Sequence, residues 1–396
     1  MRRRVRRDNA AGGAFPSTAL RVCYFGTYSA GPGYPVNRVL IEGLRRAGAV
    51  VWECRAGIAD DADERWRSAR GARAAVRAAW RLVLAWPRLI ARWVAGPPSD
   101  VVIVGYLGHV DVLLARALTR RPVVLNALLS LHDTVVQDRQ LVSERSLAAR
   151  VLGAIDRLAC RTADLVLLDT HAHIAYFCER FGLDAARFHR VLVGSDRAPR
   201  LVSVKPSGSP VRVLFVGTFI PLHGAHTIVD AAARLEHGGT DIRFRMIGRG
   251  QEFAAVADRV RRQGLTRVEL VDGWIDGASY DRELAEADIC LGVFGATDKA
   301  RRVIPSKVYD ALAAGRPVIT ADTPAARELL THGEDAWVCP PGDPAALADA
   351  VARLAGDHAL RARLAEGARR TYETRCSPEV IGRDVRAVLE RVARSS

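Results

Sequence analysis

The sequence predicts an α/β protein of two doubly wound parallel-sheet domains facing a cleft. Three observations carry that reading. From about residue 20, short β-branched runs alternate with helical stretches in βαβα order, the pattern of parallel sheets covered by helices. The alternation stops once, at "SDRAPRLVSVKPSGSP" (195–210), where Pro, Ser and Gly accumulate, and then restarts. The chain has 396 residues, 49% of them hydrophobic, which is comfortable for two cores and long for one.

In the first half the strand candidates are "RVCYF" (21–25), "AVVWE" (49–53), "DVVIV" (100–104), "PVVLN" (122–126), "DLVLL" (164–168) and "RVLV" (190–193). In the second they are "VRVLFVG" (211–217), "IRFRMIG" (242–248), "RVELVDG" (267–273), "DICLGV" (288–293), "PVIT" (317–320) and "DAWVC" (335–339). Continuous apolar runs of this length are strands buried on both faces. The tail is amphipathic, with Val380, Val385, Val388, Leu389 and Val392 at helical spacing. The expected division is a basic N-terminus (1–19), an N-terminal domain (20–203), a C-terminal domain (204–376) and a last helix (377–396) crossing back to the N-terminal domain. Ligands bind outside the carboxyl ends of parallel strands, so the glycine-ending runs "FVGT" and "MIGRG" belong at the cleft.

The formal net charge of +14 is local: residues 1–7 hold five arginines and residues 65–99 hold eight, with no acid in either stretch. A nucleic-acid binder carries its basic surface through the fold, so this distribution argues against nucleic acid and for local contact with an anion. The segment "RWRSARGARAAVRAAWRLVLAWPRLIARWVAG" (65–96) holds four of the seven tryptophans. Its apolar residues recur at 76, 80, 83, 86, 90 and 93, with a break expected at Pro87. It reads either as a basic amphipathic segment that docks on an anionic membrane surface, or as a helix packed on its own domain with a solvated arginine face. The seven scattered cysteines predict reduced, buried thiols in a cytosolic protein. "MRRRVRR" runs into "DNAAGGAF", without the apolar core of a secretory signal. The expected localisation is cytoplasmic, peripheral on the inner membrane face if 65–96 docks there.

Only three lysines occur beside 55 arginines, and two of them, Lys299 and Lys307, fall in "KARRVIPSKVYDALAAGRPVI" (299–319). Ile304-Pro305-Ser306-Lys307 marks a helix start, with Ser as a good cap and Pro favoured at the first helical position. A helix amino end offers unpaired N–H groups and a partial positive charge. Lys307, Arg301 and Arg302 add full charges, Lys299 stands further back, and Gly295 allows close approach of a ligand. Together these fit a diphosphate. The alternative is a solvated basic loop before an ordinary helix. His223 and His226 have H-x-x-H spacing, but nothing nearby completes a metal site, and none is expected.

"VLFVGTFIPLHGAHTIVDAAARL" (213–235), "FRMIGRGQ" (244–251), "VELVDGWI" (268–275), "LAEADICLGVF" (284–294), "VYDALAAGRPVITADTPAARELL" (308–330) and "GEDAWVCPPGDPAALADAV" (333–351) occur in the order of a known family. The chain resembles the family 4 glycosyltransferases, of GT-B fold with two Rossmann-like domains. "SLHDT" (130–134), "ADLVLLDTHAH" (163–173) and "VLVGSD" (191–196) extend the resemblance over the first half. It implies retaining transfer of a sugar from a nucleotide-diphosphate donor to an acceptor hydroxyl, lipid-linked or otherwise, with no cofactor. His132 would lie near the donor sugar, with Asp133 orienting it or facing the acceptor. Gly31, Gly33 and Tyr34 would form an acceptor or diphosphate loop. Gly248, Arg249 and Trp274 would meet the nucleotide base, and Asp310 the ribose diol.

The chain also departs from the family pattern. Thr218 and His223 stand where the family has Arg and Lys on the diphosphate, and Arg302 and Asp310 where it has paired glutamates. This reads as a relocated diphosphate clamp centred on Lys307, Arg302, Arg301 and Ser306. Two other readings stay open: a nucleotide-sugar 2-epimerase of the same two-domain form, and a non-catalytic membrane- or anion-binding protein on a degenerate core.

Overall fold

The computed structural model describes residues 19–29, 31, 35–56, 72–197 and 210–395, with side chains from 84 onward inside the helix Ala72–Ala95. Two six-stranded, wholly parallel sheets form. The first has the order β2-β1-β3-β4-β5-β6, with β1 Arg21–Gly26, β2 Val50–Arg55, β3 Val101–Val104, β4 Val123–Asn126, β5 Leu165–Leu168 and β6 Phe188–Arg190. The second has the order β12-β11-β10-β7-β8-β9, with β7 Val211–Val216, β8 Ile242–Gly248, β9 Val268–Asp272, β10 Ile289–Leu291, β11 Val318–Ala321 and β12 Trp337–Cys339. The strand order reverses between β1 and β3 and between β7 and β10, and ligand crevices form at such switch points.

Every expected run forms a strand, within one to three residues at each end. The sixth is the most displaced: it pairs at 188–190, while Leu192 and Val193 leave the sheet and bury in an apolar cluster continuous with Val308 and Leu312 of the second half. The expected linker also starts inside the structure, because Ser195 is fully buried and donates to Asp310 Oδ1 at 2.6 Å.

The last helix, Pro378–Arg394, packs on the helix Pro35–Arg46 of the first half. The crossing depends on two glycines. A Cβ on Gly382 would sit 1.9 Å from the Gly43 carbonyl oxygen, so only a missing side chain lets the backbones approach.

The segment expected to break at Pro87 is one helix, Ala72–Ala95, with Pro87 inside it. A mid-helix proline costs about 3 kcal/mol. Here packing on both sides of it offsets the cost: Ala85 and Leu89 are buried, and Trp86 Nε1 donates to Asp111 Oδ1 at 3.0 Å. The part of that segment before residue 72, and Gly33 and Tyr34 of the expected acceptor loop, lie outside the described residues.

Candidate functional site

Because β7 and β10 are neighbours, the chain leaving β10 and the helix Ser306–Ala313 pack against the end of β7. Pro305, not Ser306, takes the N-cap position, with φ −72°, ψ 151° and no side-chain cap. A proline there has no N–H to leave unpaired. Ser306 is instead the first helical residue and lines the cleft. The amides of Ser306 and Lys307 find no carbonyl partner among the described residues, as expected of a first turn.

Lys307 is 7% exposed, and its Nζ has no hydrogen-bond partner among the described residues. The amine lies 4.1 Å from the centroid of the Phe215 ring, in space that a side chain at 217 would fill. A Cβ on Gly217 would come within 2.4 Å of Nζ. Burial drives the Lys307 pKa well below the ordinary lysine value. A cation over a phenyl face recovers about 1–2 kcal/mol. That is less than the several kcal/mol that desolvating an ammonium costs, so the neutral amine is favoured. His223 is close by: its Cε1 is 3.3 Å from the same Cβ position, and its Nδ1–H donates to the Thr218 carbonyl. Burial, then the nearby Lys307, holds its pKa well below 6.5. Two basic groups are thus held short of charge at one strand end, where an arriving anion would restore it.

The cleft beside this strand end is a cavity of about 220 Å³. Val36, Leu129, Thr134, Asp138, Arg139 and Asp169 line it from the first half, and Leu222, His223, Lys299, Ile304 and Ser306 from the second. Small-molecule sites usually run to about 300–1,000 Å³. This one is narrow because bonds cross the cleft. Arg302 Nη2 donates to Asp133 Oδ1 at 2.7 Å and Gln137 Oε1 at 3.2 Å, and the guanidinium stacks 4.2 Å over the Tyr176 ring. Lys299 Nζ donates to Thr134 Oγ1 at 2.5 Å, and the Leu222 amide to Asp138 Oδ1 at 3.1 Å. The Arg302 carbonyl accepts from Thr170 Oγ1, and Glu328 accepts from the amides of His171 and Ala172 at 2.8 and 2.9 Å. Removing one partner of a buried pair leaves the other charge uncompensated. Asp133→Asn is therefore expected to destabilise the chain by about 2–4 kcal/mol in urea denaturation, with Gln137 retaining part of the Arg302 contact.

These bonds relocate several expected site residues. Arg302, expected in the diphosphate clamp, is engaged across the cleft by Asp133 and Gln137. Arg301 is exposed, and its carbonyl accepts from the Ala325 amide at 3.2 Å. The close approach that Gly295 permits is to the protein itself, since a Cβ there would meet the Pro221 and Leu222 carbonyl oxygens at 2.3 and 2.4 Å. His132 and Asp133 do not line the cavity. The His132 ring sits between the Tyr176 hydroxyl at Nδ1, 3.4 Å, and Arg180 Nη2, which donates to Nε2 at 3.1 Å. Burial and Arg180 lower its pKa, so it is neutral. Asp310 accepts at both oxygens, from Ser195 Oγ and from the Tyr280 hydroxyl at 3.2 Å, and burial raises its pKa.

The remaining expected residues of the second half surround the ends of β7, β8 and β9, which all run into glycine. Gly248 has φ +145° and Gly273 φ +141°, and the Gly273 amide donates to the Gly248 carbonyl at 3.1 Å. Trp274 is 46% exposed beside them. Arg249 Nε lies 4.0 Å from Asp272 Oδ1. Gly31 is buried, and its carbonyl accepts from Arg38 Nη1 at 2.6 Å. Sequence reasoning missed Thr134, Asp138 and Asp169. The segment Asp133–Asp138 is a π-turn, whose i-to-i+5 bonding carries both of its end aspartates to the cross-cleft contacts. Sequence spacing alone gives no sign of such a turn.

Residues 210–357 match the family model described as glycosyl transferases group 1. The phosphatidyl-myo-inositol mannosyltransferase of Mycobacterium leprae is 32% identical over 225 residues, 55% of this chain and 56% of that relative. The chain spans about half the length of the curated relatives it matches. Sucrose-phosphate synthase from Thermosynechococcus elongatus superposes with a TM-score of 0.70 at 18% identity, covering 95% of this chain and 100% of that one. Anabaena Alr3699/HepE, solved with UDP-glucose, superposes with a TM-score of 0.66 at 17% identity, covering 94% and 100%. At these identities the structural likeness shows the fold.

Proposed function

We infer, from the fold and from the match of residues 210–357 to the group 1 glycosyl transferase model, a retaining transfer of a sugar from a nucleotide-diphosphate donor to an acceptor hydroxyl. The observation that carries this reading is the buried, unpartnered Lys307 amine at the end of β7, beside His223 and the first-turn amides. An anion is the ligand that repairs an uncompensated basic group. The switch point between β7 and β10 is where such a ligand enters. The Anabaena neighbour was solved with UDP-glucose bound, which supports a nucleotide sugar here.

In this reading the bond from the anomeric carbon to the β-phosphate oxygen breaks and the bond to the acceptor oxygen forms. The acceptor proton passes to the departing phosphate, so no protein base is required. Lys307, His223 and the amides of Ser306 and Lys307 stabilise the charge that develops on the diphosphate, as preorganised donors do. The bonds from Asp133, Thr134 and Asp138 to the second half close the cleft and exclude water once the donor is in place. No metal or other cofactor is needed for this chemistry.

The experiment is nucleotide-diphosphate release from UDP-, GDP-, ADP- and dTDP-sugars, with and without acceptor hydroxyls. Release with one donor base is the expected result. An epimerised sugar without release, or no turnover with any donor, would contradict it. Gly217→Ala is a sharper probe. Its Cβ would meet Lys307 Nζ and Cε at 2.4 and 2.8 Å, the far end of a flexible chain that can move away. The variant should fold within about 1 kcal/mol of the wild type yet lose at least about tenfold in nucleotide affinity, read by calorimetry.

A further inference from the structure

Among the described residues, seven large apolar side chains are exposed, and six of them lie on two helices. Leu84, Ile90 and Val94 are on the helix Ala72–Ala95, and Leu147, Val151 and Leu158 on the helix Leu147–Thr162. The two helices cover the same face of the first sheet: Ala85 and Leu89 of one and Ala159 and Cys160 of the other enter a single apolar core. Spacings of four and eleven residues put Leu147, Val151 and Leu158 on one side of their helix.

The outward charges are all of one sign. Arg88 and Arg92 are exposed on the first helix, and Arg150, Arg157 and Arg161 on the second. None of the five is in an ion pair among the described residues. From residue 84 onward the first helix has no acid, and the only acid of the second, Asp156, is fully buried, accepting from Ser130 Oγ and the amides of Leu131 and His132. The outer stripe cannot turn inward. Trp86 is hydrogen-bonded to Asp111, and the Trp93 ring packs 6.1 Å from that of Trp52, so the other side of the first helix is already committed.

We propose that this two-helix face docks on an anionic lipid bilayer. The apolar side chains enter the headgroup–acyl boundary, and the arginines meet lipid phosphates. Apolar residues spread over helix exteriors, interleaved with unpaired arginines and free of exposed acid, match the chemistry of an anionic interface. No helix among the described residues is long and apolar enough to cross a membrane, so the attachment is to the surface. The second helix extends the contact well beyond the basic segment at 65–96. The inference stands apart from sugar transfer and does not rest on it.

The test is co-sedimentation of the full chain with vesicles of equal parts phosphatidylglycerol and phosphatidylcholine, against phosphatidylcholine alone. Binding should be at least about tenfold tighter to the anionic vesicles and should fall with salt. Leu147→Gln/Val151→Gln/Leu158→Gln should weaken it about tenfold or more. Arg150→Gln/Arg157→Gln/Arg161→Gln should weaken it about a hundredfold. Neither set touches the cleft, so thermal stabilisation by nucleotide should stay at the wild-type level, which separates this proposal from the transferase reading. Equal binding to both vesicles, or unchanged binding in both triple variants, would overturn it. So would self-association of the wild type that the apolar triple variant abolishes.

Discussion

Lys307→Met is expected to make the chain more stable and inactive at once. The variant keeps the length and apolar stem that fill the space beside Phe215 and removes a basic group buried without a partner. Measured without nucleotide at neutral pH, its stability should exceed the wild type's by on the order of 2 kcal/mol. The gap should depend on pH with a definite sign. The folded-state pKa of Lys307 lies well below that of a free lysine. Between the two values the unfolded chain holds the proton and the folded chain does not. Wild-type stability therefore rises with pH through that window, up to about pH 10.5. The advantage of the Met variant should be small near about pH 10 and grow as the pH falls toward neutral and below. Nucleotide-diphosphate release should fall at least about a hundredfold, the scale of losing a preorganised charge donor. Denaturant melts across pH and a single-turnover assay read both effects.

Gly248→Ala should be the most damaging single change for the fold. Its Cβ would lie 1.9 Å from the Gly217 carbonyl oxygen and 2.9 Å from the Gly217 carbonyl carbon. Both are backbone atoms, and they are fixed by the Gly217 amide donating to the Ile247 carbonyl at 2.9 Å. The φ of +145° adds its own penalty for a residue with a side chain. Nothing flexible can give way, so we expect a loss of more than about 4 kcal/mol, or no soluble protein. The contrast with Gly217→Ala is diagnostic. Two alanines at two adjacent strand ends should separate fold from function, because one meets backbone and the other a lysine tip. A urea melt of each variant, beside its nucleotide affinity, makes the comparison.

The strands were readable in the sequence because doubly buried parallel strands are unbroken apolar runs, and "VVIV" and "LVLL" can hardly be anything else. Gly248 and Gly273 marked the strand ends for the same reason that the φ values require glycine there. Lys307 stood out by rarity, and in the structure its amine is buried beside Phe215 at the end of β7, without a hydrogen-bond partner among the described residues. What stayed hidden depends on partners far away in sequence. Arg302 looks like one more cation of a basic loop until Asp133, 169 residues earlier, comes within 2.7 Å. Asp310 looks like a free acceptor until Ser195 and Tyr280 take up its oxygens. "LAARVLGAIDRLACRT" shows the period of one core-facing helix, and periodicity does not reveal that its outer side stays apolar as well.

In the proposed function, the Lys307 amine becomes charged when a nucleoside diphosphate arrives. Calorimetric titration of that nucleotide in buffers of different ionisation enthalpy, at a pH where the free amine is neutral, measures the proton directly. Net proton uptake on binding is expected, lost together with most of the affinity in Lys307→Met. Binding with no proton uptake, and with equal affinity in the variant, would contradict it.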